Sequence, residues 1–257
     1  MYDGISHKTM IKEYFGCNIS DVADTVVVSP ILDLKRFKEF ADEVILEFSG
    51  WYDGMTVMKK GKRVTVIECR IGSPLAGDCI LALEYAKCKT VIFSGSAGAI
   101  NDSYEIGDML AVSEAIIGEG FSRYHSDNFE EDCFGKLSAG DYELSDKLLS
   151  CIKKYEGIYG IKTYRGRIFT IDTILGESSA VFDYMKRKGC DAVEMEVSSV
   201  FTAAAKAGLK AAALIFISDL PLKSKSLFEG RDNREHEQHR RQRNEIPGIL
   251  LDAAADL

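Results

Sequence analysis

Four short apolar runs punctuate the chain: Thr25-Val26-Val27-Val28, Val64-Thr65-Val66-Ile67, Thr90-Val91-Ile92-Phe93 and Ala211 to Ile217. Each is continuous rather than alternating and is bounded by Gly, Ser or Asp, the pattern of a strand covered on both faces. Helical repeats lie between them. Cys79, Ala82, Leu83 and Ala86 fall on one face of Pro74 to Lys87, and Phe182 and Met185 mark a second face between Ser178 and Lys188. Strand alternating with helix specifies an α/β fold with a central sheet flanked by helices. Within Met55 to Cys69, two strand-like runs flank Lys60-Gly61-Lys62, a hairpin signal, so the sheet is expected to be mixed.

No linker divides this pattern. The 257 residues hold only four prolines and no Pro/Gly/Ser-rich or single-sign charged stretch, and residues 1–257 read as one domain. The dense mixed charges of Glu229 to Glu245 read as a solvated helix face leading into the apolar Ile246 to Leu251.

Charge narrows the choice of partner. Lys and Arg number 32 against 40 Asp and Glu, a formal net charge of −8, which opposes attraction to nucleic acid or an anionic membrane. An anionic ligand therefore needs a local site that overcomes the global field. The seven cysteines are an odd number without C-x-x-C spacing, as expected of reduced thiols in the cytoplasm and not of a disulfide framework or a zinc site. Met1 to Phe15 has no apolar signal core, and no run reaches the roughly 18 apolar residues of a membrane span. His236 and His239 lie three apart, with no third ligand in register for a metal.

Three segments carry chemistry. In the first, the apolar run at Thr90 leads into Ser94-Gly95-Ser96-Ala97-Gly98-Ala99, read as a small-residue turn. Glycines there let backbone N–H groups approach a ligand, and Ser96 adds a hydroxyl, so the segment is either a tight structural turn or an anion cradle. Neither the dinucleotide nor the P-loop glycine spacing is present. In the second, Glu194-Met195-Glu196 stands where a strand gives way to the small-residue helix after Val197. Carboxylates there cap the helix or accept hydrogen bonds from vicinal sugar hydroxyls, with the thioether on the ring's apolar side. In the third, Asp219 follows the apolar strand Ala211 to Ser218 and precedes Leu220-Pro221. It is either a turn cap or a desolvated carboxyl fit for general-acid work.

Taken together, Ser94-Gly95-Ser96-Ala97-Gly98-Ala99 with Gly107-Asp108, Val193-Glu194-Met195-Glu196 and Ile217-Ser218-Asp219 resemble the hallmark blocks of the nucleoside phosphorylase superfamily. That superfamily includes purine nucleoside and uridine phosphorylases and the methylthioadenosine and AMP nucleosidases. The resemblance runs from about Ser20 to the C-terminal helix. It implies that Gly95 and Ser96 hold phosphate, or water in a hydrolase. It further implies that Phe169, in Arg165 to Asp172, packs on the base, that Met195 and Glu196 bind the ribose, and that Asp219 protonates or hydrogen-bonds the departing base.

The expected activity is cleavage of an N-glycosidic bond, foremost transfer of ribose from a purine nucleoside to phosphate. Hydrolysis as in the nucleosidases, uridine phosphorolysis and non-catalytic nucleoside binding stand as alternatives. Phosphate is then a co-substrate, with no resident cofactor or metal, and the partners are a small nucleoside or nucleotide and further copies of the chain. The sequence departs from the family at the phosphate: Phe93 stands where an Arg precedes the Gly-Ser turn, Ser29 to Arg36 replaces a Gly-Asp-Pro-x-Arg loop, and Ser49 stands where a neighbouring subunit's Arg is expected. Lys35, Arg36, Arg70 and Arg123 are candidate substitutes, Arg70 the best placed, and Arg123 and His125 are candidates for the substrate's 5′ end.

Overall fold

The computed structural model describes residues 4–156 and 160–257. Met1 to Asp3, part of the N-terminal stretch considered above, lie outside the described residues.

The apolar runs are the strands of one mixed sheet. Strand β1 (Thr25–Ser29) pairs in parallel with β4 (Lys62–Glu68) on one side and β5 (Thr90–Ala99) on the other. Strands β2 (Glu43–Ser49) and β3 (Asp53–Lys59) extend the edge beyond β4, each antiparallel to its neighbour. The β3–β4 hairpin turns on Lys60 and Gly61, with φ of 50° and 73°. Two positive φ values in succession match the right-handed strand twist, which is why the glycine is there.

On the other side the sheet closes on itself. β5 pairs with β10 (Lys210–Asp219), β10 with β6 (Met109–Gly118), β6 with β8 (Thr163–Ile171), β8 with β9 (Ala192–Glu194), and β9 with the last residues of β5. Short β7 (Leu137–Ala139) adds to β6. This ring corrects one expectation. Ser94 to Ala99 is not a turn: β5 runs straight through it, because Ser94 to Gly98 pair with β10 while Gly98 and Ala99 pair with Val193 and Ala192 of β9. The small residues serve close packing between strands. A Cβ on Gly98 would lie 3.2 Å from Asp219 Oδ2.

Helices cover both faces, which explains the unbroken apolar strands. Val26, Val28, Val91 and Phe93 pack with α1 (His7–Phe15), α3 (Ser73–Ala82) and α6 (Val197–Ala207). The intervening Val27 and Ile92 pack on the other face with α2 (Leu34–Phe40), α4 (Tyr142–Lys153) and α7 (Asn233–Asp256). Between them α5 (Ser179–Arg187) buries Phe182 and Met185. Helix α7 starts at a capping box in which Asp232 Oδ1 accepts from the Glu235 N–H at 2.8 Å and Glu235 Oε2 accepts from the Asp232 N–H at 2.9 Å. Its charged first half is largely exposed, whereas Ile246 and Ile249 to Leu251 are buried, with Pro247 between the two regimes.

Candidate active site

Closing the ring brings the carboxyl ends of β5 and β10 beside β9, and a cavity of 170 Å³ lies over them. Ser96 to Gly98 contribute from β5, Val193 to Glu196 from β9 and the start of α6, and Ser218 and Asp219 from β10. Pro30 and Ile31, Ile174 and Glu177, and Ser226 to Phe228 complete the wall from loops. The three segments picked out in the sequence therefore converge, although more than 120 residues separate the first from the last.

Glu196 is 5% exposed and its Oε1 accepts from the Gly72 N–H at 2.7 Å. Gly72 adopts φ 114°, a conformation closed to side-chain-bearing residues without strain, and so delivers that N–H. Glu194 is equally buried. Its Oε1 accepts from Thr170 Oγ1 at 2.6 Å, and its Oε2 accepts from the N–H groups of Glu196 and Val197 at 2.6 and 2.8 Å. Glu194 thus caps α6 and fixes the backbone that carries Glu196. Burial pushes both carboxyls above the usual range; for Glu194 the neighbouring Glu196 charge adds to this and the three donors offset it in part. Met195, between them, lines the cavity, and its carbonyl accepts from Ser73 Oγ at 2.8 Å.

Asp219 is also 5% exposed and is raised by burial, with Ser218 and Arg231 acting in the opposite direction. Ser218 Oγ donates to its Oδ1 at 2.6 Å, leaving Oδ2 on the Gly98 side. Arg231 holds buried Nε and Nη2 atoms with no hydrogen-bond partner among the described residues. Glu177 faces the same cavity and is pushed up to about 7 by burial and then by Asp219. Two raised carboxyls thus share one end of the site, with the Arg231 charge acting on Asp219 from outside the cavity wall.

Five expected contributors are placed elsewhere. Phe169 is 1% exposed and sits in a core cluster with Ile116, Phe182 and Met185, where it backs Val193; Ile174, five residues on, lines the cavity instead. Arg70 is exposed at φ 63°, and its neighbour Ile71 reaches the wall while Arg70 does not. Arg123 is half-exposed and paired with Asp132 at 3.2 Å, and His125 lies against the Phe121 ring, centroids 4.5 Å apart. Neither lines the cavity. Gly95 is buried inside β5, so of the Gly95-Ser96 pair only Ser96 reaches the wall. Among the described residues the wall carries no Lys, Arg or His.

Sequence reasoning missed Ile174, Glu177, Arg231 and Phe228. All four lie outside the strands and longer helices, where no periodicity announces a side chain's direction. The only available signal was their proximity in sequence to the strand ends after Ile171 and Asp219.

The profile of the Phosphorylase superfamily matches residues 26–254. A DeoD-type purine nucleoside phosphorylase of Shewanella frigidimarina is 30% identical over 172 residues, 65% of this chain and 67% of that protein. One from Xenorhabdus nematophila is 29% identical over 230 residues, 82% of this chain and 86% of that one. Among solved structures, a uridine phosphorylase from Vibrio fischeri aligns with TM-score 0.77 at 20% identity, covering 99% of this chain and 100% of that one. A purine nucleoside phosphorylase from Toxoplasma gondii in complex with immucillin-H aligns at TM-score 0.73 and 20% identity, with 93% of each chain covered. A profile match spanning all ten strands, with the three strand-end segments meeting at one cavity, leads to one conclusion: the chain belongs to the phosphorylase superfamily, a family of nucleoside-cleaving pentosyltransferases.

Proposed function

We propose that this enzyme cleaves the N-glycosidic bond of a purine nucleoside, transferring the ribosyl group to phosphate. The observation that carries the reading is the pairing of two buried carboxyls, Glu196 and Asp219, at one cavity, after the ends of the two strands that flank β5. Breaking the bond between C1′ and the base nitrogen builds positive charge on the sugar and sends an electron pair into the base. Glu196, held by Gly72, accepts hydrogen bonds from the ribose hydroxyls and keeps the ring in place. Asp219, its pKa raised by burial, gives its proton or a hydrogen bond to a ring nitrogen of the departing base. Ser96 contacts the phosphate whose oxygen forms the new bond to C1′. Purine is the preferred base because an acid at the end of β10 serves a ring nitrogen directly, and because the DeoD-type relatives are purine enzymes.

A second reading is hydrolysis, with water in place of phosphate. The cation-free wall around Ser96 favours it, since each charge-assisted hydrogen bond to an oxyanion contributes about 1.5–3 kcal/mol. One assay separates the two: free base released from inosine, adenosine, AMP, methylthioadenosine and uridine, with and without phosphate. Phosphate-dependent release from inosine or adenosine supports the main reading. Release independent of phosphate transfers the assignment to a nucleosidase, and uridine as best substrate overturns the purine preference.

The same reading makes the protein a cytoplasmic homo-oligomer without a resident metal. All seven cysteines are free thiols, and Val44, Ile45 and Trp51 expose apolar surface along the β2 edge of the sheet.

A further inference from the structure

Beyond Ile31, which lines the catalytic cavity, a second cavity of 320 Å³ opens between α2 and the charged half of α7. Its wall carries Arg36 from α2, His239, Arg240 and Arg243 from α7, and a single acid, Asp33. Asp33 is already engaged, its Oδ1 accepting from the Lys35 N–H at 2.9 Å as the cap of α2. Arg36 meets Glu39 only at 3.8 Å, with both side chains well exposed. Among the described residues neither Arg240 nor Arg243 pairs with a carboxylate; Arg243 Nη2 donates to the Ile31 carbonyl at 3.3 Å. In a chain of net charge −8, three guanidinium groups around one concavity are a local reversal of sign. Holding like charges together is unfavourable unless an anion joins them.

The guanidinium fork matches the oxygens of phosphate two at a time. His239, in the same wall, is pushed down to about 4, first by burial and then by the charges of Arg231, Arg243 and His236, so a change of charge in the cleft will move it. We propose that this cleft binds a phosphate oxyanion, free or as a monoester, at a site separate from Ser96 and next to the catalytic cavity. The inference does not depend on which nucleophile the enzyme uses.

The test uses the whole chain and its His239 ring resonances, titrated with inorganic phosphate and, in a parallel arm, ribose 5-phosphate, at matched ionic strength in chloride. Phosphate is expected to raise the His239 pKa in the parent and in Ser96→Ala, because a bound anion favours the imidazolium. In the Arg240→Gln/Arg243→Gln double variant, which alters exposed helix positions, that response is expected to weaken roughly tenfold or more. Tighter binding of the ester identifies a sugar-phosphate ligand, and equal binding identifies free phosphate; both support the site. A His239 response no larger than in chloride, or one unchanged in the double variant, overturns it. Loss of the response in Ser96→Ala alone also overturns it, since the anion would then belong to the catalytic cavity.

Discussion

The two sides of the catalytic cavity are built in opposite ways. On the side of the β9 and β10 ends, each polar group has a partner that fixes it: Glu196 on the Gly72 N–H, Glu194 on Thr170 and the first turn of α6, and Asp219 on Ser218. Around Ser96 the wall is Pro30, Ile31 and small residues, with Phe93 fully buried behind them and no cation among the described lining residues. The contrast teaches that the side proposed to hold the leaving group and the sugar is fixed by hydrogen bonds, while the side proposed to hold the nucleophile carries few fixed charges. The guanidinium groups of Arg36, Arg240 and Arg243 lie one step away, beyond Ile31.

That contrast is open to direct attack. The largest effect belongs to the acid: Asp219→Asn is expected to lower kcat by about 10²–10⁴ while leaving the fold intact, measured as base release beside a thermal melt. Next is Phe169→Ala, which should cost about 3–5 kcal/mol of stability in denaturant unfolding, the usual effect of emptying a core aromatic. Ile174→Ala, by contrast, is expected to raise KM for the nucleoside without shifting the unfolding midpoint. The reverse result would restore Phe169 to the base.

On the sparse side, Ser96→Ala is expected to raise KM for phosphate about tenfold, one hydrogen bond to an anion, with little change in KM for the nucleoside. An equal effect without phosphate would assign Ser96 to water. The smallest effect is expected from Glu194→Gln, which keeps an acceptor for the α6 N–H groups but halves the carboxylate. KM for the nucleoside should rise a few-fold with kcat nearly unchanged, since Glu194 acts only by positioning Glu196.

Much of this was legible in the sequence, for local reasons. Continuous runs such as Val26 to Val28 and Val91 to Phe93 announce strands covered twice, and Lys60-Gly61 announces its own turn. Glu196 and Asp219 were marked by standing at strand ends, where α/β folds bind ligands. What failed depended on distant pairing. Ser94 to Ala99 reads as a turn until β9 and β10 are known to clamp it from either side. Phe169 reads as a cavity residue until β8 is seen to continue to Ile171, with Thr170 turned to Glu194 and Phe169 to the core. Glu177 and Arg231 sit in connecting segments whose course no local pattern specifies.

The division of labour between the two carboxyls is tested most directly by the pH dependence of kcat/KM for the best nucleoside, in the parent and in Asp219→Asn. In the proposed assignment Asp219 acts as the protonated acid and its pKa is raised, so activity should fall as pH rises through that value. In the same assignment Glu196 acts as the carboxylate and is also raised, so activity should fall as pH drops through its value. The parent should therefore give a bell displaced upward from the range of ordinary carboxylates, and Asp219→Asn should lose the alkaline limb together with most of the rate. A variant that keeps both the rate and the alkaline limb would contradict the assignment of Asp219 as the acid.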